Sequence, residues 1–240
     1  MADKEKEPKS KSGCLGKLGV LFLLLIVGGL GAALFQISQP QDMSDIAGYG
    51  PRGAGQSARN LKGVLANSLK GGYELSLTEH DLNLYLRDTL KVKQGGLLES
   101  QVSLDDVAIR LKDDYAEIIM VRTVAGYPFT LSMYLRVEQS ELPNGAILKE
   151  VLRNRGPYHE SIPRPGVGGR FGKLPVPEGF ILLVMPAFEK LAAVYRDTGS
   201  KEPVKEMDFI EEMARFSIID GKLVLDPRPN TGEMMGPGVF

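Results

Sequence analysis

AEIIMVRTVAGYPFTLSMYLRVE (Ala116–Glu138) is the stretch whose pattern decides the fold of this chain. Ala116 to Val124 is strongly apolar with little alternation, the signature of a central strand. Gly126 and Pro128 interrupt the run. Beyond them, Phe129, Leu131, Met133, Leu135 and Val137 alternate with Thr130, Ser132, Tyr134, Arg136 and Glu138. A period of two sustained over that length describes a half-buried antiparallel strand, apolar toward a core and polar toward water.

The strand pattern continues on both sides. Val102 and Leu104 share one face, and Val107, Ile109 and Leu111 shift parity, which places a bulge at Asp105-Asp106. Asp113-Asp114 is a turn candidate, and Pro143-Asn144-Gly145 turns the chain into a further strand, Ala146 to Leu152. Near the end, Arg215–Ile219 and Lys222–Leu225 flank Asp220-Gly221, a hairpin signal.

Helices surround these strands. Leu61, Val64, Leu65 and Leu69 have helical spacing within Ser57–Leu69, which Gly71-Gly72 stops. Tyr73–Leu77 is a short strand. Thr78 and Asp81 form a capping box for a helix from Glu79, with Leu82, Leu86 and Leu90 on its core face. Residues 153–177 read as a long Pro/Gly/Arg-rich loop, and Pro177 suits a first helical turn. Phe180, Val184, Ala187, Phe188, Leu191 and Tyr195 then make one helical face, with a kink expected at Pro186. Phe209–Met213 reads as a short helix. The class is α+β, with the domain expected over residues 57–226 and a disordered tail over 227–240.

Upstream stands a different kind of sequence. Leu18 to Gln41 holds 24 consecutive uncharged residues, and Leu18–Phe35 is an apolar run of 18. At ~1.5 Å per residue that run is a helix of roughly 27 Å, close to the ~30 Å of a bilayer's hydrocarbon core. We therefore expect a tail over 1–17, a transmembrane anchor over 18–38, and a linker over 39–56 that lifts the domain off the bilayer. Lys4, Lys6, Lys9, Lys11 and Lys17 precede the span, whereas Asp42 and Asp45 follow it. The positive-inside rule then puts the N-terminus in the cytoplasm and the domain outside the cell membrane. The rival reading, a cleaved signal peptide, has Gly31, Ala32 and Ala33 in its favour and a 17-residue charged leader against it. A lipoprotein needs its cysteine after the apolar stretch, and Cys14 lies before it. Gly28/Ala32 and Gly29/Ala33 have small-xxx-small spacing, a feature common in membrane spans generally.

Composition limits the chemistry. The chain has a formal net charge of -1, and residues 1–17 hold +2, which leaves the outer part mildly acidic. A mildly acidic domain without a long basic run gives no reason to expect nucleic acid. The single cysteine, Cys14, leaves the domain without a disulfide or a thiol nucleophile. His80 and His159 lack a second-ligand spacing, so no metal is expected. There is no G-x-S-x-G. The glycine-rich loop Pro165–Lys173 lacks the spacing of a phosphate loop, with Val167 and Leu174 at two required positions. No cofactor and no catalytic residues are expected.

Two binding surfaces remain. Arg153, Arg155, Arg164, Arg170 and Lys173 make the long loop basic, which suits anionic headgroups. Phe180, Val184 and Phe188, facing a strand side of Phe129, Leu131, Met133 and Leu135, form an apolar layer between sheet and helix. That layer could hold a lipid or serve simply as a core.

The order of LTEHDLNLYL (Leu77–Leu86), a strand meander, GKLPVP (Gly172–Pro177) before an apolar helix, and IIDGKLVL (Ile218–Leu225) resembles the YpmS-like family of bacterial membrane-anchored proteins. The start of the helix is also similar to that of YceB-like envelope lipoproteins, without their lipobox. The likeness covers roughly residues 75–226. It implies a non-enzymatic extracytoplasmic domain with a curved antiparallel sheet wrapped on helices, able to cradle a lipid. The expected role is a tethered binding domain; the alternatives are a scaffolding subunit with envelope protein partners, or an enzyme with an unrecognised site.

Overall fold

The computed structural model describes residues 14–50, 59–89, 102–141, 147–153, 156, 166–196 and 213–228. The first element, α1 (Cys14–Ile37), stands apart from the rest. Its segment Gly16–Ile37 is long and apolar enough to cross a membrane, and none of its most apolar window is buried against protein. The remainder is α+β. It comprises α2 (Leu61–Gly71), β1 (Leu75–Thr78), α3 (Glu79–Thr89), β2 (Val102–Lys112), β3 (Tyr115–Val124), β4 (Tyr127–Glu141), β5 (Ile147–Arg153), β6 (Val167–Phe171), β7 (Leu174–Pro177), α4 (Glu178–Ile181), α5 (Met185–Arg196), β8 (Arg215–Ile219) and β9 (Lys222–Asp226).

The main sheet is antiparallel, open and curled, in the order β2-β3-β4-β6-β7. β4 is long enough to take two partners on one side: β6 along Leu131–Met133 and β5 along Leu135–Glu141. A second sheet, β1-β9-β8, is also antiparallel. The hairpins behave as their turn residues require. Ala125-Gly126 and Asp220-Gly221 adopt positive φ at both positions, the geometry of a two-residue turn matched to strand twist. The register slips between Leu104 and Asp106, which is the bulge expected there. In the capping box, Asp81 accepts from the Thr78 N–H while the Thr78 hydroxyl accepts from the Asp81 N–H, both at 3.1 Å.

One face of the main sheet carries the core in two parts. Leu111 and Ala116 pack with Leu61 and Leu65 of α2, with Leu82 of α3, and with Leu75, Leu77, Ile218 and Leu225 of the small sheet. Val107, Met120, Leu131 and Met133 pack with Val176, Ile181, Phe188 and Leu191.

Three local expectations change. The stretch 153–177 is not a plain loop, because β6 and β7 form a hairpin within it. The apolar helix is broken rather than kinked: α4 ends at Ile181 and α5 begins at Met185, so Pro186 falls in a first turn, where its missing N–H is not needed. Most consequentially, β4 is not half-buried. Thr130, Ser132 and Tyr134, which the alternation turned toward water, are all buried.

Candidate functional site at the junction of helix and sheet

What covers Thr130 and Ser132 is the chain leaving α1, while Tyr134 lies among Tyr115, Arg170 and Gly156. The stretch 39–50, expected as a spacer, lies across the second face of the sheet; 51–58 falls outside the described residues. At the start of this strap, Gln41 donates its N–H to the Thr130 hydroxyl at 2.9 Å and its side-chain amide to Ser132 at 3.1 Å. Further on, Ile46 packs on Ala108 and Ile119, with Met43 and Tyr49 beside it. The strap then meets α3, where the Ala47 N–H reaches the Glu79 carboxylate at 2.6 Å.

Beneath the strap lies a charged cluster. Glu117, only 1% exposed, sits mid-strand on β3. It accepts from Arg110 at 2.5 Å and from the Ser132 hydroxyl at 2.6 Å. Arg110 also donates to the Asp42 carbonyl at 2.7 Å and to the Asp45 carboxylate at 2.8 Å. Burial acts to lower the Arg110 pKa, but the hydrogen bonds and charges of Asp45 and Glu117 prevail and raise it. Tyr134 stands edge-on to Tyr115, ring centroids 5.3 Å apart, and accepts from Arg170 at 2.9 Å. Burial, then the Glu117 charge, pushes the Tyr134 phenol up to about 12. At the exposed rim the Ser44 N–H, assisted by Arg110 and Lys173, holds Asp42 below the usual carboxylate range.

The junction itself is short. The Lys173 N–H donates to the Gln36 carbonyl at 3.0 Å, and the Gly172 N–H to the Thr130 carbonyl at 2.8 Å. The β6–β7 turn therefore caps the last turn of α1, satisfying a carbonyl that a helix end leaves open. Gly172 has φ +56, and a Cβ there would collide with the carbonyl oxygens of Gln36, Ile37 and Gln39. Only glycine fits that close approach.

The residues singled out from sequence fall into two groups. Leu131, Met133 and Phe188 are buried together, with Phe129, Leu135 and Val184 packed against them, so six of the seven apolar residues share one layer. Phe180 does not join them. Its neighbour Ile181 turns inward, and Phe180 is left 57% exposed beside Leu182 and Leu183. Of the basic residues, Arg170 reaches into the Tyr134/Glu117 cluster and Lys173 is exposed at the end of α1. Arg153 lies on β5, while Arg155, Arg164 and His159 lie outside the described residues. The buried cluster was missed from sequence, although Glu117, the single charge within the apolar run Ala116–Val121, was a signal for it. Among the described residues no group of three or more His, Cys, Asp or Glu side chains comes together as a metal site would need.

The chain matches no protein-family model, no curated protein and no solved structure.

Proposed function

We propose that the chain is a single-pass membrane protein with a cytoplasmic N-terminus, whose α+β domain lies extracytoplasmically as a non-enzymatic binding module for a lipid. The observation that carries this reading is the junction. A helix with an unpartnered apolar surface ends in a hydrogen bond from Lys173 to Gln36, and Gln41 is already buried in the sheet. A domain attached in this way works at the bilayer surface. Lys173, exposed at that point, suits anionic headgroups.

The apolar ligand would lie between the sheet and α5, against Leu131, Met133 and Phe188. The cover there is interrupted. Between α4 and α5 it is held by three backbone bonds, Val184 N–H to Ile181 at 3.0 Å and the longer Leu183 N–H to Phe180 and Met185 N–H to Leu182 at 3.3 and 3.4 Å. Phe180, Leu182 and Leu183 stand exposed on it. Photo-crosslinkable phospholipid in vesicles carrying the full chain tests the reading. Labelling of the peptide containing 180–188 is expected, and labelling confined to α1 would overturn it.

Close packing favours a second reading, a scaffolding subunit of an envelope complex. Ile181, Leu131, Met133 and Val176 already fill the layer between sheet and helix. That reading expects a defined protein partner to crosslink to the domain in intact cells and no lipid to be labelled between sheet and helix.

A further inference from the structure

We propose that the tip of the β3–β4 hairpin, Val124–Pro128, is a second membrane contact that enters the interface of the same bilayer as the span. The inference rests on the reading of Leu18–Phe35 as membrane-spanning and adds a surface that reading does not contain.

The path of the chain orients the sheet. Gln36 follows Phe35, the last residue of the apolar run, and its carbonyl holds the Lys173 N–H. With a rise of ~1.5 Å per residue, the β6–β7 turn sits within a few Å of the hydrocarbon boundary. From there the chain climbs. Gln39 lies against Gly172, and Gln41 reaches Thr130 and then Ser132. The end of the sheet that carries the β6–β7 turn is thus the end nearest the bilayer. The bond from Gly172 to Thr130 puts Thr130 on the same level.

β4 starts before that level. It begins at Tyr127, so the hairpin tip projects beyond Thr130 by three residues, or roughly 10 Å at ~3.4 Å per residue. Interfacial segments bury ~5–10 Å into the headgroup and acyl boundary. The composition fits that depth. Thr123 to Leu135 contains no charged residue. Tyr127 is 77% exposed and Val124 40% exposed, with Ala125 and Pro128 exposed beside them. Tyrosine favours the interface because its ring is apolar and its hydroxyl stays wet. Arg122, opposite Phe129 in the register, has no carboxylate partner among the described residues, and its Nε makes no hydrogen bond. That Nε is shielded from solvent and the guanidinium faces the Met120 sulfur at 3.7 Å, so Arg122 adds no phosphate contact to the tip. The opposite end of the same strands turns through Asp113-Asp114, so the two ends of the sheet differ in the sense that a one-sided bilayer contact requires.

The chain has no tryptophan, so single tryptophans report position without background. Full-length Tyr127→Trp, Val124→Trp, Asp113→Trp and Leu25→Trp proteins would be reconstituted into phosphatidylcholine/phosphatidylglycerol vesicles containing brominated lipid. Leu25→Trp should be strongly quenched, which tests the span alone. Quenching at 127 or 124 by at least twofold, with none at 113, is the expected result. Quenching at 25 but at neither tip position would overturn the tip contact and leave the span standing. Equal quenching at 127 and 113 would overturn it too, since the domain would then lie flat. An unquenched Leu25→Trp would overturn the span reading and the tip contact with it.

Discussion

Asn83 takes the place of a neighbouring strand for Ile109: its amide donates to the Ile109 carbonyl at 2.8 Å and accepts from the Ile109 N–H at 2.7 Å. One turn earlier on α3, Glu79 accepts from the Leu111 N–H at 2.7 Å. β2 is the edge of the main sheet, and an open edge is a template for unwanted pairing. Glu79 and Asn83, four residues apart on one helix face, close it. This spacing gives a physical reason for the acid and the asparagine in Leu77–Leu86.

Asn83→Ala should therefore destabilise the domain beyond the usual surface substitution. It strands the N–H and carbonyl of Ile109 and the Ala47 carbonyl, which also accepts from Asn83 at 2.9 Å. An unsatisfied buried group costs ~1–3 kcal/mol; Ile109 is half-buried and Ala47 exposed, so a loss of about 2 kcal/mol is expected. Urea unfolding of the full chain in detergent measures it, and sedimentation should show new self-association through the opened edge.

Arg110 and Glu117 should behave as a coupled pair. Arg110→Met leaves buried Glu117 with only the more distant Arg170, at 3.8 Å, and Glu117→Leu leaves Arg110 with Asp45 and the Asp42 carbonyl. Breaking one partner of such a pair costs ~3–5 kcal/mol, whereas apolar replacement of both is often close to neutral. The double variant should unfold at a higher urea concentration than either single variant. Additive losses would show that the two side chains act independently.

Gly172→Ala should loosen the junction without unfolding the sheet. Its φ of +56 and the three carbonyls around it leave no room for a methyl group, and such strain is of order 1–3 kcal/mol. Hydrogen exchange of peptides covering 36–46 and 170–176 should rise, while the β2–β3 hairpin stays protected. Unchanged exchange at 36–46 would mean that the turn does not hold the helix end.

Alkaline titration should find Tyr134 among the late tyrosines, beside Tyr49 and Tyr115, which burial also raises. Tyr134 is raised to about 12 in the folded chain, against 10.0 for an ordinary phenol. The folded state then holds a proton that the unfolded state has released. The stability tied to this group is complete below pH 10 and falls between pH 10 and 12, with a limiting slope of ~1.4 kcal/mol per pH unit. Phenolate absorbance should show one fewer late-titrating group in Tyr134→Phe. The same number in both proteins would place the late titration elsewhere.

The sequence by itself determined most features that depend on neighbours along the chain: the N-terminal apolar helix, the strand periods, the bulge at Asp105-Asp106, the hairpin at Asp220-Gly221 and the capping box at Thr78, though not the β6–β7 hairpin or the break between α4 and α5. Helix length, pleat alternation and turn conformation are local, so a few adjacent residues suffice to specify them. Tertiary structure decided what lies over the second face of the sheet. Alternation along Phe129–Glu138 separates two faces, yet a polar face reads the same whether it meets water or a hydrogen-bonding strap. Gln41 and Ser132 lie 91 positions apart, and no local pattern links them. The strap itself, rich in Gly, Pro and polar residues, has the composition of a spacer because most of its contacts are hydrogen bonds, with Ile46 as its buried apolar anchor. The long apolar helix was therefore legible from the first reading of the chain, and its hydrogen-bonded attachment to the sheet only from the fold.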